Sequence, residues 1–502
     1  MLNSTLPTRV IDVGPPDENH DPFIFENNGK TGVWVALSHQ WGGKIAQRTT
    51  KDNISLRRQR LPLNEMPLTF RDAIEITRRL HCQYLWIDAL CILQDSHEDW
   101  VRESQQMGNV YKLAYLTIAC DMVQNSESGI LPRGLTPAPY VTLPYESRAR
   151  NMKGLFSIGP PTKHSRPGPL FDRGWTLQED LLSTRLLHFG AEQLLWSCRS
   201  ISVSEENSTV PILDFNRVYF RSAFLNLVTR PWSSSSALPW YLIVNDYACR
   251  NLTDEKDRLP AFSGIAKEVG KHSGYSYKAG LWEEDIHRGL LWSTLGAAQK
   301  VSTFEAPSWS WVAMKFGFSS PISKTNGPYH QLASMAKTIG TCREADAQIL
   351  SYHIQYTDGD LYGRVSHGAL TIRGRFISAE SLKIGRPLPL YKTNNPGSQY
   401  TPVWRLTAPR SPKHVICEVD HREDWIIEWS EDEYLAWFES QVMYLQLAKT
   451  DGPSSGIPPK LWSLILQPTD KAGEYRRRGI ARIPEVDGMA EKGWEVQTVT
   501  II

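Results

Sequence analysis

The feature that most constrains the fold is the stretch 32–121, in which short apolar runs alternate with helix-like segments. Val33–Ser38 and Tyr84–Leu93 have the apolar, β-branched and aromatic content of strands, and Leu113–Cys120 is a third strand or the end of a helix. The segment that begins at Pro67 keeps helical spacing between the first two runs. Strands that alternate with helices predict a parallel sheet covered on both faces.

Two helix starts are expected inside this stretch. Thr69 and Asp72 have the spacing of a capping box just before an apolar helical face, and Ser96 with Asp99 has the same spacing. We therefore predict that the side chains of Thr69 and Ser96 cap the two helices that separate the strands.

Composition excludes several classes of protein. The chain has 502 residues, a net charge of +1, 41% hydrophobic and 22% charged residues, which is typical of a soluble protein of two or three domains. The near-neutral charge gives no reason to expect nucleic acid as a partner. The 7 cysteines are scattered without a CxxC pair, so we expect reduced thiols in the cytoplasm and no metal site. No apolar run is long enough to predict a membrane span.

The pattern changes along the chain and predicts four parts. Residues 1–31 are an N-terminal extension, and 32–205 form the α/β domain. Residues 206–315 are mostly helical, and 316–502 are short alternating strands bounded by Gly and Pro. We expect an α/β domain followed by a helical segment and a β-rich C-terminal region.

Polar residues cluster where the first two strands end. Ser38, His39, Trp41 and Gly42 belong to the SHQWGG loop, and Asp88 is a single carboxylate among aliphatic residues. Ligands bind at the carboxyl ends of parallel strands, so these residues are candidates for a ligand site in which Gly42 allows close backbone approach. Alternatively, Asp88 faces away from its neighbours and caps a nearby helix.

Glu103 falls on the apolar face of the second predicted helix, which also carries Trp100 and Met107. A carboxylate there is costly unless it is paired or lies in a cleft. We leave two interpretations open: a salt bridge, with Arg78 or Arg173, or a cleft carboxylate with a perturbed pKa that serves acid/base chemistry.

The segment RGWTLQED brings Arg173, Trp175, Gln178 and Glu179 together. Planar rings beside hydrogen-bonding and charged groups are suited to a nucleotide-like ligand. The same residues are equally consistent with a helix that clamps the domain, with Arg173 paired to Glu103 or Asp88.

Cys91 lies three residues after Asp88, which suggests a cysteine nucleophile with His39 as its base. A cysteine in an apolar strand is more often a small buried hydrophobe, and we favour that interpretation. No HExxH, GxSxG, Walker A or GxGxxG motif is present.

Taken together, five segments between Val33 and Cys198 resemble the fungal heterokaryon incompatibility (HET) domain in order and spacing. They are WVALSHQWGG, MPLTFRDAIEITRRL, YLWIDALCILQD, DWVRESQQMGNVYKLAYLTIAC and RGWTLQEDLLSTRLLHF. Further segments up to Met314, including LTDEKDRLPAFSGIAKEV, resemble the region that follows this domain in many fungal HET proteins.

The resemblance implies a fungal, cytoplasmic protein of allorecognition and programmed cell death. HET domains are regarded as distantly similar to TIR domains, which have a flavodoxin-like α/β fold and in some branches hydrolyse NAD with a glutamate on a helix beside the cleft. On that analogy Glu103, with Asp88 in the same cleft, is the expected catalytic residue, and NAD is a candidate substrate rather than a bound cofactor. The resemblance also implies a protein partner or self-association through the HET domain.

This chain departs from the family pattern at two positions, because it has His39 where Tyr is usual and Ala89 where Ser is common. His39 adds a group capable of acid/base chemistry. Two further functions stay open: an enzyme or accessory protein of fungal secondary metabolism that acts on a small molecule, and a non-catalytic interaction module in which Asp88, Glu103, Arg173 and Glu179 form a buried network.

Overall fold

The computed structural model of the chain forms two compact units, residues 1–221 and 222–502. The structure describes residues 3–15, 20–43, 47–131, 141–147, 152–158, 168–190, 193–205, 215–232, 237–292, 298–300, 306–316, 342–382, 387–389, 404–407, 414–419, 442–450, 460–484 and 493–502.

The first unit is built on a mixed sheet. Its described strands are β1 Ser4–Thr5, β2 Arg9–Asp12, β3 Phe23–Glu26, β4 Thr31–Gly32, β5 Trp34–Ser38, β6 Tyr84–Trp86, β7 Leu116–Ala119, β8 Val141–Ser147, β9 Met152–Ile158, β10 Arg185–Phe189, β11 Leu194–Cys198 and β12 Ser202–Ser204. Within the described residues, eight strands form one sheet in the order β12-β11-β10-β7-β5-β6-β2-β3. Strands β1 with β4, and β8 with β9, make separate pairs.

The centre of this sheet is parallel and its edges are antiparallel. Strand β5 pairs in parallel with β6 and β7, and β7 pairs in parallel with β10. The pairs β2 with β6, β2 with β3, β10 with β11 and β11 with β12 are antiparallel. The expectation of an all-parallel sheet is therefore wrong at both edges. The parallel strands, counted along the chain, lie side by side in the order 2-1-3-4.

The described helices of this unit are α1 Ile54–Arg57, α2 Leu68–Arg79, α3 Asp88–Cys91, α4 His97–Leu113 and α5 Gly174–Leu182, with short 3-10 turns at Leu63–Glu65 and Pro169–Asp172. Every residue of β5, β6 and β7 is buried, as expected for central strands covered on both faces. Helix α4 is fastened to β5 by the indole N–H of Trp34, which donates to the Val110 carbonyl at 3.1 Å.

Of the two expected helix caps, one is present and one is absent. The Ser96 hydroxyl accepts a hydrogen bond from the Asp99 N–H, which confirms the cap of α4. Helix α2 has Pro67 at its N-cap and no side-chain cap. Thr69 and Asp72 are instead buried and accept hydrogen bonds from the backbone N–H groups of 129–131, so they anchor a loop rather than cap the helix.

The expected strand Tyr84–Leu93 is too long. Strand β6 ends at Trp86, and the chain then turns through Ile87 into the single helical turn of α3, which begins at Asp88. A short run of apolar residues indicates burial but has no polar positions that would reveal a helical or strand periodicity. A buried turn of helix and a buried strand therefore look alike in the sequence. Asp88 is thus not a residue of a strand.

A buried ion pair ties the N-terminal strand β2 to the rest of the unit. The Arg9 guanidinium donates to the Cys91 carbonyl at 3.0 Å and to both carboxylate oxygens of Asp99, which also accepts the Leu93 N–H at 2.8 Å. The side chains of Arg9 and Asp99 are 4% and 5% exposed. Residues 1–31, expected as an extension, therefore supply sheet strands and a core contact.

The second unit is helical first and β-rich afterwards. Its helices are α6 Phe215–Thr229, which crosses the boundary between the units, α7 Ala237–Ala248, α8 Pro260–Ser273, α9 Ile286–Gly289 and α10 Ala379–Leu382, with 3-10 turns at Glu255–Asp257, Glu283–Asp285 and Trp311–Ala313. The apolar residues that keep helical spacing along α8 are all buried: Leu259, Phe262, Ile265, Ala266 and Val269.

The strands of the second unit follow. They are β13 Tyr277–Lys278, β14 Leu281–Trp282, β15 Ala298–Lys300, β16 Met314–Phe316, β17 Cys342–Ala345, β18 Gln348–Tyr356, β19 Val365–Ser378, β20 Pro387–Pro389, β21 Trp404–Thr407, β22 His414–Val419, β23 Met443–Thr450, β24 Lys460–Pro468, β25 Glu474–Pro484 and β26 Glu495–Ile501. The pairings β19-β23-β24-β25-β26-β19 close a ring of strands. The β-rich C-terminal region is confirmed. The segment 306–314 contains a 3-10 turn.

Arg9→Met should lower the stability of the full chain by about 3 kcal/mol, because it leaves a buried carboxylate without its main partner. For a unit of this size the loss corresponds to roughly 6 to 12 °C in Tm, measured by calorimetry. The matched control is Arg58→Met, which removes an ion pair with Glu26 whose side chains are 47% and 41% exposed. It should change stability by less than about 0.5 kcal/mol. Equal losses in the two variants would contradict this account.

Candidate functional site

The candidate site lies at the carboxyl ends of the central parallel strands. Strand β5 ends at Ser38, which pairs with Ala119 at the end of β7, and β6 ends two residues before Asp88. In a doubly wound sheet the loops separate where the strand order reverses, which here is between β5 and β7. Ser38 therefore marks the position at which a ligand crevice is expected.

Asp88 is fixed in place but partly open to solvent. The Trp41 indole N–H lies 3.1 Å from one carboxylate oxygen of Asp88 and 2.9 Å from the other, and the Ala89 N–H donates to it at 2.7 Å. The Asp88 side chain is 22% exposed. An oriented carboxylate that a solute can reach is available for binding or catalysis.

Glu179 presents a second carboxyl group to the same place, from inside the protein. It lies on α5, is buried, and has side-chain hydrogen bonds with Ser38 and Tyr111. Burial raises the pKa of Glu179 to about 7, opposed by the Ser38 hydrogen bond and the Arg173 charge, while Asp88 raises it further. The two carboxyl groups thus influence one another although their surroundings differ.

Tyr111 is a further partner of Glu179. The Tyr111 hydroxyl donates to the Leu37 carbonyl at 3.1 Å, and it also has a hydrogen bond with Glu179 that lowers the pKa of the carboxyl group. Burial outweighs this effect, so the pKa of Glu179 is still raised. Helix α4, which carries Tyr111, therefore helps to position Glu179.

His39 is enclosed beside Asp88. Its ring makes an edge-on contact with Phe70, at 5.2 Å between centroids, and its side chain has no exposed surface. Nδ1 of His39 lies 4.0 Å from Oδ1 of Asp88, and neither ring nitrogen has a hydrogen-bond partner among the described residues. Burial lowers the pKa of His39 to about 4, opposed by Asp88 and aided by Arg173. The imidazole is therefore neutral near pH 7.

Arg173 joins α5 to the SHQWGG loop, because its guanidinium donates to the His39 carbonyl at 2.8 Å. Its positive charge acts on His39, Tyr111 and Glu179. Glu179, predicted from the same segment, also belongs to the site. Trp175 makes an edge-on contact with Trp100 at 6.4 Å between centroids, and Gln178 is fully buried.

Glu103 belongs to a different cluster. Arg102 Nε donates to its carboxylate at 3.1 Å, and Thr8 and the Arg9 charge also act on it. Burial is the main cause that raises the pKa of Glu103. Of the two interpretations left open, the salt bridge is present, but its partner is Arg102 rather than Arg78 or Arg173. Arg78 donates to the Val13 and His20 carbonyls.

Gly42 does allow a close approach, but the group that approaches belongs to the protein. Its φ is +72°, and a Cβ there would lie 2.2 Å from the Cβ of Asn125. The neighbouring Trp41 carbonyl accepts from the Ser126 N–H at 3.3 Å, so Gly42 packs the SHQWGG loop against the loop 124–126. This contact fixes the position of Trp41 over Asp88.

Cys91 is an inert thiol. It is completely buried, and burial raises its pKa to about 12. A thiol with this pKa is almost entirely protonated at neutral pH and is a poor nucleophile. Within the part of the chain that the structure describes, no group of three or more His, Cys, Asp or Glu side chains is arranged to hold a metal ion.

Sequence reasoning missed Tyr111 and Phe70 as parts of the site, since both lie on apolar helical faces. A signal for Tyr111 does exist in the sequence, because a buried tyrosine hydroxyl needs a hydrogen-bond partner. No local pattern identifies that partner as Glu179, 68 residues further along the chain.

The fold and the site define a mixed α/β domain with a pair of carboxyl groups at the ends of parallel strands. The family described as "Heterokaryon incompatibility protein (HET)" matches residues 34–179, which run from the start of β5 to Glu179. Residues 34–179 therefore carry a heterokaryon incompatibility domain, and this match supports a fungal context.

No curated protein matches the chain, and no solved structure matches it. Among the described residues, no helix combines the length and the apolar character needed to cross a bilayer.

Glu179→Gln should stabilise the protein at alkaline pH, because Gln can replace the neutral acid but not the carboxylate. A carboxyl whose pKa is raised stabilises the fold fully below pH 4.5, and this contribution is lost as the pH rises to about 7. The loss is about 3 kcal/mol. We therefore expect the difference in stability between variant and wild type to shift by that amount, in favour of the variant, between pH 4.5 and pH 8.

Denaturant unfolding at several pH values checks this expectation. The difference from wild type is the quantity to follow, because His39, whose pKa is lowered, loses its contribution as the pH falls from 6.5 to 4 and opposes the trend in the wild type. Glu75→Gln is the control, since Glu75 is 46% exposed. A pH-independent difference for Glu179→Gln would show that Glu179 ionises normally.

Proposed function

We propose that the protein is an effector of heterokaryon incompatibility, active in fungal non-self recognition and cell death, that hydrolyses the bond between nicotinamide and ribose in NAD. The observation that carries the proposal is the pairing of a solvent-reachable carboxylate, Asp88, with a buried neutral acid, Glu179, at the switch point of the sheet. Two carboxyl groups held in contrasting environments are a common basis for cleaving glycosidic bonds.

The proposed fold is TIR-like. Its support is the 2-1-3-4 order of the parallel strands, which is the order of the first four strands in flavodoxin-like sheets. In such sheets nucleotides bind at the switch point, where Ser38 ends β5, and Asp88 follows the neighbouring strand β6. Protein partners or self-association through this domain stay a prediction from the resemblance.

The chemistry requires a negative charge beside the ribose. As the bond between C1′ and the pyridinium nitrogen breaks, its electron pair leaves with neutral nicotinamide, and positive charge develops on the ribose ring. The Asp88 carboxylate stabilises that charge. Glu179 donates a hydrogen bond to a ribose hydroxyl, and Trp41 and Arg173 bind the flat and the anionic parts of the dinucleotide.

The proposed catalytic residues, Asp88 and Glu179, differ from Glu103, the residue that the family resemblance favours. Glu103 is matched to the TIR glutamate by its place on the helix after β6, but its carboxylate is paired with Arg102. Arg102 is half-exposed and can move away, so Glu103 stays a candidate that experiment must separate from Glu179.

Purified full-length protein, incubated with NAD and assayed for released nicotinamide, tests the proposal. Asp88→Asn and Glu179→Gln should each lower kcat by about 100-fold or more, which is the usual cost of losing one electrostatic stabiliser. Glu103→Gln should retain most of the activity and lose stability instead. The charge-neutral substitutions keep side-chain volume, and Glu75→Gln serves as the matched surface control.

The outcomes separate the alternatives. If Glu103→Gln is inactive while Asp88→Asn and Glu179→Gln remain active, the catalytic residue is Glu103. No nicotinamide release by the wild type at high protein concentration would remove the hydrolase, and a non-catalytic module or an enzyme of secondary metabolism would then take its place.

A further inference from the structure

Among the residues that the structure describes, the buried His39 ring has no hydrogen-bond partner. Both nitrogens are enclosed by protein, and the described contacts of the ring are the Phe70 edge and the approach to Asp88. A buried imidazole that lacks hydrogen bonds costs the fold free energy, because its polar atoms have lost water without gaining a partner. Such a group in a site is explained when its partner is a molecule that binds there.

The separation between His39 and Asp88 suggests what that molecule is. Nδ1 of His39 and Oδ1 of Asp88 are 4.0 Å apart, which is too far for a direct hydrogen bond. A single water molecule at about 2.8 Å from both atoms spans this gap. The two atoms are therefore spaced to share one water.

The ring is held firmly in this position. The Arg173 guanidinium binds the His39 carbonyl at 2.8 Å, and Phe70 packs against the ring. On the opposite side of the gap, the Trp41 indole N–H and the Ala89 N–H fix the Asp88 carboxylate. The imidazole and the carboxylate are therefore oriented before a substrate binds, and only the enclosure around Nδ1 must open to admit the water.

We propose that His39 is a positioning residue that, together with Asp88, holds the water molecule which attacks the ribose. This inference rests on the proposed function. The neutral imidazole carries its hydrogen on Nε2, and Nδ1 accepts one hydrogen of the water while Asp88 accepts the other. Both hydrogens are then engaged, and a lone pair of the water oxygen is directed at C1′.

The step balances without a further reactant. The bond from C1′ to the pyridinium nitrogen breaks, and nicotinamide leaves with the electron pair. A bond forms from the water oxygen to C1′, the water proton passes to the Asp88 carboxylate, and solvent later removes it. The products are nicotinamide, ADP-ribose and one proton.

A competition experiment isolates the role of the water. The same ribosyl cation can be captured by an added pyridine base, such as 3-acetylpyridine, which gives base exchange and uses no water. His39→Phe keeps the ring and its contact with Phe70 but removes both nitrogens. We expect His39→Phe to lower the ratio of hydrolysis to base exchange by about tenfold or more, because a group that holds a proton of the attacking water is lost.

Two further variants sharpen the comparison. His39→Gln restores an acceptor and should recover part of the hydrolysis. Phe70→Leu loosens the packing around His39 without removing a nitrogen, so it should lower both reactions together. His39→Phe should also have a Tm at least equal to that of the wild type, because it removes unpaired buried nitrogens.

The results distinguish this inference from the function on which it rests. Wild-type protein that gives neither hydrolysis nor base exchange overturns both. Wild-type protein that hydrolyses NAD, with His39→Phe showing an unchanged ratio of the two reactions, overturns only the role of His39. A ratio that falls in His39→Phe and rises again in His39→Gln, at unchanged stability, supports it.

Discussion

A carboxyl group that has lost its contact with water must gain hydrogen-bond partners or favour its protonated form, and both apply to Glu179 at the end of β5. Ser38 and Tyr111 are its partners, and burial raises its pKa to about 7. Tyr111 lies on α4 and Ser38 ends the central strand β5, so the Glu179 carboxyl group joins α5 to α4 and to β5. The arrangement of the site depends on this contact.

The site thus combines two kinds of environment. Asp88 is reachable by solvent and oriented by Trp41, whereas Glu179 and His39 are enclosed and favour their neutral forms. An ion-paired cluster of Arg9, Asp99, Arg102 and Glu103 holds β2 to α4. Unpaired nitrogens on His39 cost stability, which is typical of residues kept for function rather than for folding.

Much of the architecture follows from the sequence, but the partners of buried charges do not. Apolar runs at 33–38 and 84–93 and the Ser96 cap are local signals, and they predict β5, the strand β6 and the start of α4. The sequence pattern predicts a strand at Asp88 because a short run of buried residues has no clear helical or strand periodicity. Glu103 could be seen to need a partner, but proximity to Thr8 and Arg9 is a property of the tertiary fold.

The most direct test of the account is an infrared titration of the carboxyl groups, with wild type compared with Glu179→Gln. We predict that the wild type has a protonated carboxylic-acid band at pH 6 that is absent from the variant and disappears as the pH is raised through about 7. No such difference between the two spectra, or a band that disappears near pH 4.5, would show that Glu179 is an ordinary carboxylate, which would contradict the proposed acid and carboxylate pair.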